Sequence, residues 1–296
     1  MSPPAALGDV SDTARWVAHL RALESERRDA LFRDVHARRL AGERGRALAE
    51  ALPRGPLSWS LAVRTRVFDE LILEAVRDAG VDAVINLGAG LDARPYRLLL
   101  SPALRWIEMD LPGLVAMKTE ALAGERPACR LERVSVDLAD ADQRRQAFAR
   151  VSATTTRALL VTEGLLVYLD AGAVASLADD LRRFFPSGLW LLENAAPHVL
   201  ARQQRMWGKA LRAAHAEHKF APAEGLAFFR PHGWVPRSTR SLLDEAQRLR
   251  RELPVVSLLR RVSPFLPFVG RAYARRHAKL SDAMVYAVME AAPGTS

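Results

Sequence analysis

Between residues 83 and 192, short apolar runs alternate with longer stretches of helical periodicity, and this rhythm constrains the fold more than any other feature of the chain. The runs are Ala83 to Leu87, Arg105 to Met109, Leu131 to Val136, Ala158 to Thr162 and Leu189 to Leu192. Strands that are apolar along their whole length are buried on both faces, and a parallel sheet with crossover helices buries them in that way. The pattern therefore predicts an α/β fold with a mostly parallel sheet and helices on both faces. In open sheets of this kind ligands bind outside the carboxyl ends of the strands, so the polar and glycine residues that close each run are where a site is sought.

The flanking segments read as elaborations of one domain spanning 1–296, because no internal repeat or low-complexity linker separates two halves. The first fifty residues predict two helices, the first capped by Asp12 or Thr13 and the second carrying Leu31, Val35 and Leu40. Gly42, Gly45, Pro53, Gly55 and Pro56 break that pattern and close an N-terminal helical cap over 1–56. A third helix is expected from about Leu61 to Asp78, with Val63, Val67, Leu71 and Val76 on one side and Gly80 as its stop.

The alternating strands and helices form a core over 61–193, and a helical lid follows over 194–280. The lid begins with a helical stretch carrying Met206, Trp207, His215 and His218, followed by a turn-rich segment from Pro222 to Gly233. A sixth strand is placed at 234–237, a helix capped by Ser238 or Ser241 after it, and a last strand at 283–290. The proline-punctuated run Pro264 to Val269 reads as filler over the core.

The formal charge is +9, nearly all of it arginine. Basic clusters at Arg248, Arg250, Arg251, Arg260 and Arg261, and at Arg271, Arg275, Arg276 and Lys279, read as solvated helix faces. Without aromatic stacking positions or a groove-binding motif beside them, a nucleic-acid partner is not expected. No run approaches the roughly 18 apolar residues of a membrane span, and the start Met-Ser-Pro-Pro-Ala-Ala lacks the pattern of a signal peptide. A soluble, cytoplasmic protein without a membrane partner is the expectation. The lone Cys129 has no internal disulfide partner and reads as a small buried hydrophobe.

The first strand runs into Asn86-Leu87-Gly88-Ala89-Gly90-Leu91-Asp92-Ala93. Gly88 and Gly90 permit positive φ and lack the Cβ atoms that would keep a ligand away from the backbone, so the turn suits a nucleotide. The spacing of Gly88, Gly90 and Ala93, with Asp110 following, also satisfies the dinucleotide pattern. Taken alone, it leaves an NAD(P)-dependent oxidoreductase open.

The run Asn86 to Leu98 closely resembles the leucine carboxyl methyltransferase family, including a bacterial branch similar to the polyketide O-methyltransferase of tetracenomycin synthesis. Further matches follow in that family's order: Arg64-Thr65-Arg66 with Asp69, Ile107 to Pro112 with Lys118, Val136-Asp137-Leu138, and Glu163 to Leu169. The resemblance implies a Rossmann-like class I methyltransferase with a seven-stranded sheet and S-adenosylmethionine as cofactor. It further implies that Arg64, with Arg66 as fallback, clamps the cofactor carboxylate, and that Asp110 accepts the ribose hydroxyls. Asp137 with the Leu138 backbone would hold the adenine edge, and Glu163 would face the methionine portion.

Methyl transfer is an in-line displacement that needs neither a metal nor a covalent intermediate. A carboxylate acceptor is ionised at neutral pH, whereas a phenol gains from a base, for which His198, His215, His218 and His232 are candidates. Tyr168 is the residue expected to touch the acceptor. Phe184, Trp207, Phe220, Phe228, Phe229 and Phe265 would suit a flat aromatic one. A small natural product is thus the expected substrate; a protein that binds the cofactor without turnover, or an interaction module using the basic clusters, is the remaining alternative.

Overall fold

The computed structural model describes residues 10–51, 57–213, 216–251 and 283–293. Pro53, Gly55, Pro56, His215, the Trp207 side chain, the Pro264–Val269 run and the basic residues from Arg260 to Lys279 lie outside them. Seven strands form one sheet: β1 (Ala83–Leu87), β2 (Arg105–Asp110), β3 (Arg130–Ser135), β4 (Ala158–Thr162), β5 (Leu189–Ala195), β6 (Trp234–Ser241) and β7 (Met284–Ala291). Their order is β3-β2-β1-β4-β5-β7-β6, with β1 to β5 parallel and β7 antiparallel to both its neighbours. The fold is the mostly parallel α/β arrangement that the apolar rhythm requires.

Side chains alternate across the pleat into two cores. Ile85, Leu87, Ile107, Leu160 and Leu192 face one way and pack with Phe148, Leu177 and Leu181. Those three come from α6 (Ala141–Ser152) and α7 (Ala171–Phe184). Val84, Trp106, Leu159, Val161 and Leu191 face the other way, against Val67, Phe68 and Ile72 of α3 (Leu57–Asp78) and Leu242 and Ala246 of α9 (Leu242–Arg248). Each such aliphatic side chain contributes about 1.5–3 kcal/mol by leaving water. A third, smaller cluster joins Ala18 of α1 (Val10–Ser25), Leu40 and Ala41 of α2 (Ala37–Ala51), and Leu91 and Ala93 after the glycine turn, so the N-terminal helices cover the carboxyl edge of the sheet.

Several local expectations are corrected. Helix α1 is already helical at Val10, so neither Asp12 nor Thr13 caps it, and Asp12 instead accepts a hydrogen bond from Arg44 Nε at 3.0 Å. Leu31 and Val35 are not helical: the chain turns at Asp34, whose carboxylate takes the His36 amide (3.2 Å) and Arg21 Nε (3.0 Å), and Val35 is 80% exposed. A side-chain acceptor that satisfies local donors outcompetes a weak helical period. Gly42 does not end α2 but kinks it, at φ 59°. Strand β6 is longer than 234–237, and it tolerates Pro236 because it lies at the sheet edge. Ser238 falls inside β6, so Ser241 is the cap of α9, accepting from the Leu243 amide.

Of the basic residues, Arg248 pairs with Glu70 and Glu245, and Arg251 pairs with Glu24 and Asp29. These two arginines act within the fold rather than as a free cationic face. No helix among the described residues is long and apolar enough to cross a membrane.

Candidate active site

A cavity of about 350 Å³ opens at the carboxyl edge of the sheet, within the usual range for ligand sites. The segments that follow β1 to β5 form its floor; Thr13, Trp16 and Val17 of α1, with Gln203, His218 and Phe220, close it from above. Arg64, Gly88, Gly90, Asp110, Asp137, Leu138, Glu163 and Tyr168, chosen from sequence, all line this one cavity.

The glycine turn is tied to the end of β2. Gly88 N donates to Met109 O at 2.8 Å, Gly90 N donates to Asp110 Oδ2 at 2.6 Å, and the Leu111 amide donates to Asp110 Oδ1 at 2.7 Å. Asp110 therefore shapes the turn as well as bordering the cavity, with one lone pair on each oxygen still available. Burial raises its pKa, against the lowering effect of those two amides. Gly88 has φ 66°, and a Cβ there would come within 2.9 Å of Leu165 Cδ1. Gly88→Ala is thus expected to push Leu165 into the cavity and to weaken ligand binding by tenfold or more, read by calorimetric titration; unchanged affinity would show that the turn does not form the ligand wall.

Behind the turn runs a buried chain of ion pairs. Arg97 Nη1 pairs with Asp69 Oδ2 at 2.6 Å, and Asp69 Oδ1 takes Arg94 Nε at 2.7 Å. Arg94 Nη1 meets Asp92 Oδ2 at 2.9 Å and Glu163 Oε2 at 2.7 Å. Glu163 Oε1 accepts from Arg64 Nε at 2.9 Å, and Arg64 Nη1 reaches Glu193 Oε1 at 3.1 Å, where the Gly164 amide also donates, at 2.7 Å. Four carboxylates (Asp69, Asp92, Glu163, Glu193) face three guanidinium groups (Arg64, Arg94, Arg97), leaving one negative charge in excess. Burial opposes ionisation of Glu163, but Arg94 and Arg64 outweigh it and hold its pKa below the usual range. At Glu193 burial wins, and its pKa is raised despite Arg64. For Asp92, Arg94 overcomes burial and holds it well below the ordinary carboxylate range.

Arg64 is thus already engaged by two carboxylates, and only Nη2 makes no hydrogen bond among the described residues. Its fallback, Arg66, does not line the cavity; its Nε donates to Glu70 at 2.8 Å on the same helix. Lys118 is likewise away from the cavity, neutralising buried Glu108 at 2.7 Å. Asp137 accepts from the Ala139 amide at 2.9 Å, and the Leu138 carbonyl takes Arg144 Nη1 at 2.8 Å, which fixes this corner of the wall. Tyr168 ends a single 3-10 turn (Leu166–Tyr168), and burial pushes its hydroxyl up to about 12. Cys129 is buried, with its thiol pushed up to about 11 by burial, which leaves it unreactive.

Of the aromatic residues proposed for a flat acceptor, Phe220 lines the cavity, whereas Phe229 packs on Trp190 in the core and Phe184 packs on Phe148. Sequence reasoning missed Trp16, Asp92, Asn194, Gln203 and Glu193, all of which line the cavity. Asn194 is 5% exposed, and its side-chain carbonyl has no hydrogen-bond partner among the described residues, so it is ready to accept from a donor on a bound molecule. The position of Glu193 and Asn194 at the end of a strand was the signal available for these two.

The family model described as leucine carboxyl methyltransferase matches residues 14–182. A protein of Parafrankia sp. (strain EAN1pec), whose name provisionally assigns it as an S-adenosyl-L-methionine-dependent methyltransferase, is 34% identical over 261 residues, covering 83% of each chain. One of Frankia alni, named in the same way, is 34% identical over 251 residues, covering 81% of this chain and 86% of its own length. A solved structure from Thermobifida fusca, provisionally named a methyltransferase, superposes with a TM-score of 0.59 at 17% identity, covering 97% of this chain and 96% of that one. At that identity the likeness speaks to the fold.

Proposed function

The chain belongs to the leucine carboxyl methyltransferase family, and from that premise we propose that it transfers the methyl group of S-adenosylmethionine to an oxygen of a small, flat acceptor. The observation that carries the proposal is the convergence of the glycine turn, Asp110, Asp137, Glu163 and Arg64 on one cavity at the carboxyl edge of the sheet.

The residues fit the cofactor. Its sulfonium and ammonium outnumber its carboxylate, and the buried ion-pair chain leaves an excess of negative charge beside the cavity. Gly88 and Gly90 let the backbone approach a ribose, and Asp110 has lone pairs left for both hydroxyls. Arg64 offers Nη2 to the carboxylate while Glu163 and Glu193 hold it in place. Asp137 with the Leu138 backbone takes the adenine edge. The orphaned Asn194 carbonyl suits an ammonium or hydroxyl donor.

When bound, S-adenosylmethionine supplies an electrophilic methyl group. The chain's own task is to exclude water and to hold the acceptor oxygen in line. Helix α1, through Trp16 and Val17, and Phe220 supply the apolar cover, and Tyr168 borders the space left for the acceptor.

Titration with S-adenosylhomocysteine, NAD and NADP, followed by labelled-methyl transfer to a panel of phenols and carboxylic acids, tests the reading. Binding of S-adenosylhomocysteine alone, with label appearing as a methyl ether or ester, is expected. Binding of a nicotinamide cofactor, or transfer to nitrogen or carbon acceptors only, would sink it.

A further inference from the structure

Resting on the cofactor reading above, we infer that Arg144 is a positioning residue for the base: it grips the Leu138 carbonyl from behind the cavity wall and sets where Asp137 and the Leu138 amide meet the adenine edge. Asp137, Leu138 and Ala139 line the cavity between β3 and α6, whereas Arg144, 2% exposed on α6, does not reach it. Its guanidinium joins two parts of the fold. Nη1 donates to Leu138 O at 2.8 Å, while Nε donates to Asp180 Oδ2 at 2.9 Å and Nη2 to Ser176 Oγ at 2.8 Å. Ser176 and Asp180 stand one turn apart on α7, which packs against the sheet through Leu177 and Leu181. The planar fork thus ties the turn after β3 to a helix that the core holds in place.

The turn has short-range bonds of its own. Asp137 Oδ1 takes the Ala139 amide at 2.9 Å, the Asp140 amide donates to Asp137 O at 3.2 Å, and the Asp140 carboxylate caps α6 by accepting from the Asp142 and Gln143 amides at 3.0 and 3.1 Å. These bonds give the turn its shape but not its orientation toward the cavity. Orientation needs three points held to the rest of the protein. Val136 N is bonded to Asp110 O at 2.9 Å, the Leu138 side chain lies in the core, and the Leu138 carbonyl held by Arg144 is the third.

Two groups of this turn match the base. The Leu138 amide makes no hydrogen bond among the described residues, and the Asp137 carboxylate keeps lone pairs beyond the one given to Ala139. Adenine presents the complement: its 6-amino group donates and its N1 accepts. A buried guanidinium–carboxylate pair adds little stability, because taking both charges out of water offsets most of their attraction. Its gain here is geometric. Hydrogen bonds weaken steeply out of alignment, so a donor and an acceptor that serve one rigid ring have to be held to within about 0.5 Å.

Isothermal titration with S-adenosylhomocysteine and S-inosylhomocysteine isolates the base, because the two ligands differ only at the 6-position and N1. The inosyl compound sets an oxygen against the Asp137 carboxylate and an N1–H against the Leu138 amide, so the parent should prefer adenine by roughly a hundredfold. Arg144→Met should cut that preference to about tenfold, with nearly all of the loss falling on S-adenosylhomocysteine. Asp180 Oδ1 also accepts from Arg145 Nε at 2.9 Å, so its carboxylate stays paired and the variant should fold. Ser176→Ala takes one restraint off the guanidinium with every charge still paired, and should lower the preference about threefold. An equal loss of both ligands in Arg144→Met would leave Arg144 a support of the fold only, and an unchanged preference in either variant would remove it from base recognition; each overturns the inference. A parent that binds S-adenosylhomocysteine without preferring adenine overturns it too and leaves the proposed function standing, whereas absence of S-adenosylhomocysteine binding removes both.

Discussion

Asp110→Ala is expected to weaken S-adenosylhomocysteine binding by about 10- to 150-fold, the equivalent of about 1.5–3 kcal/mol for a lost hydrogen bond to a charged group. Two losses combine in this variant: the acceptor for the ribose hydroxyls goes, and the Gly90 amide, now 2.6 Å from Oδ2, loses its anchor. Asp110→Asn separates them, because an amide retains one acceptor but sets an N–H against a backbone donor. The pH dependence has a definite sign. Burial raises the Asp110 pKa, so on acidification the ionised form is lost before an ordinary carboxylate would titrate, and affinity should fall over that interval in the parent but not in Asp110→Asn. Isothermal titration from neutral to weakly acidic pH reads both effects. An alanine variant that binds as tightly as the parent would remove Asp110 from the site.

Arg94→Met is expected to be the most destabilising of the single substitutions considered, by about 3–5 kcal/mol, because it leaves a buried group of carboxylates short of its central cation. Arg94 is 2% exposed and contacts Asp69, Asp92 and Glu163 at once, with Nη2 also donating to Thr65 O at 3.4 Å. It links helix α3, the glycine turn and the end of β4, so its loss should loosen the cavity along with the fold. Urea denaturation measures the first effect, and S-adenosylhomocysteine affinity under native conditions the second. Arg77, whose partner Asp78 is equally exposed, serves as the control: Arg77→Met should leave the denaturation midpoint where it was. If the two variants unfolded at the same urea concentration, the buried chain would be electrostatically neutral for stability.

Strands β1 and β4 can be read from sequence residue for residue, because an apolar run bounded by turn residues is a local signal and both strands are buried throughout. The ends of β5 and β6 cannot. Glu193, Asn194 and Ala195 are polar or small, yet they remain in the ladder because β7 pairs with them from about ninety residues further along, through Tyr286, Val285 and Met284. The stretch from Leu31 to Val35 is misjudged as helical for a related reason: Asp34 accepts from the His36 amide and is also held by Arg21, and a buried salt bridge of that kind leaves no mark on hydrophobic periodicity.

Among the residues of the candidate site the division is equally sharp. Gly88, Gly90, Asp110, Asp137 and Glu163 announce themselves because each closes an apolar run, and a parallel sheet places the ends of all its runs on one edge. Sequence therefore determined the sheet, the edge on which the cavity opens and the glycine turn that borders it. Tertiary structure alone decided that Arg64 is shared by Glu163 and Glu193, 99 and 129 residues away, that α1 lays Trp16 over the cavity, and that Gln203 meets the His218 ring at 2.9 Å. Those contacts depend on where helices come to rest against one another, and the packing of distant side chains sets that position.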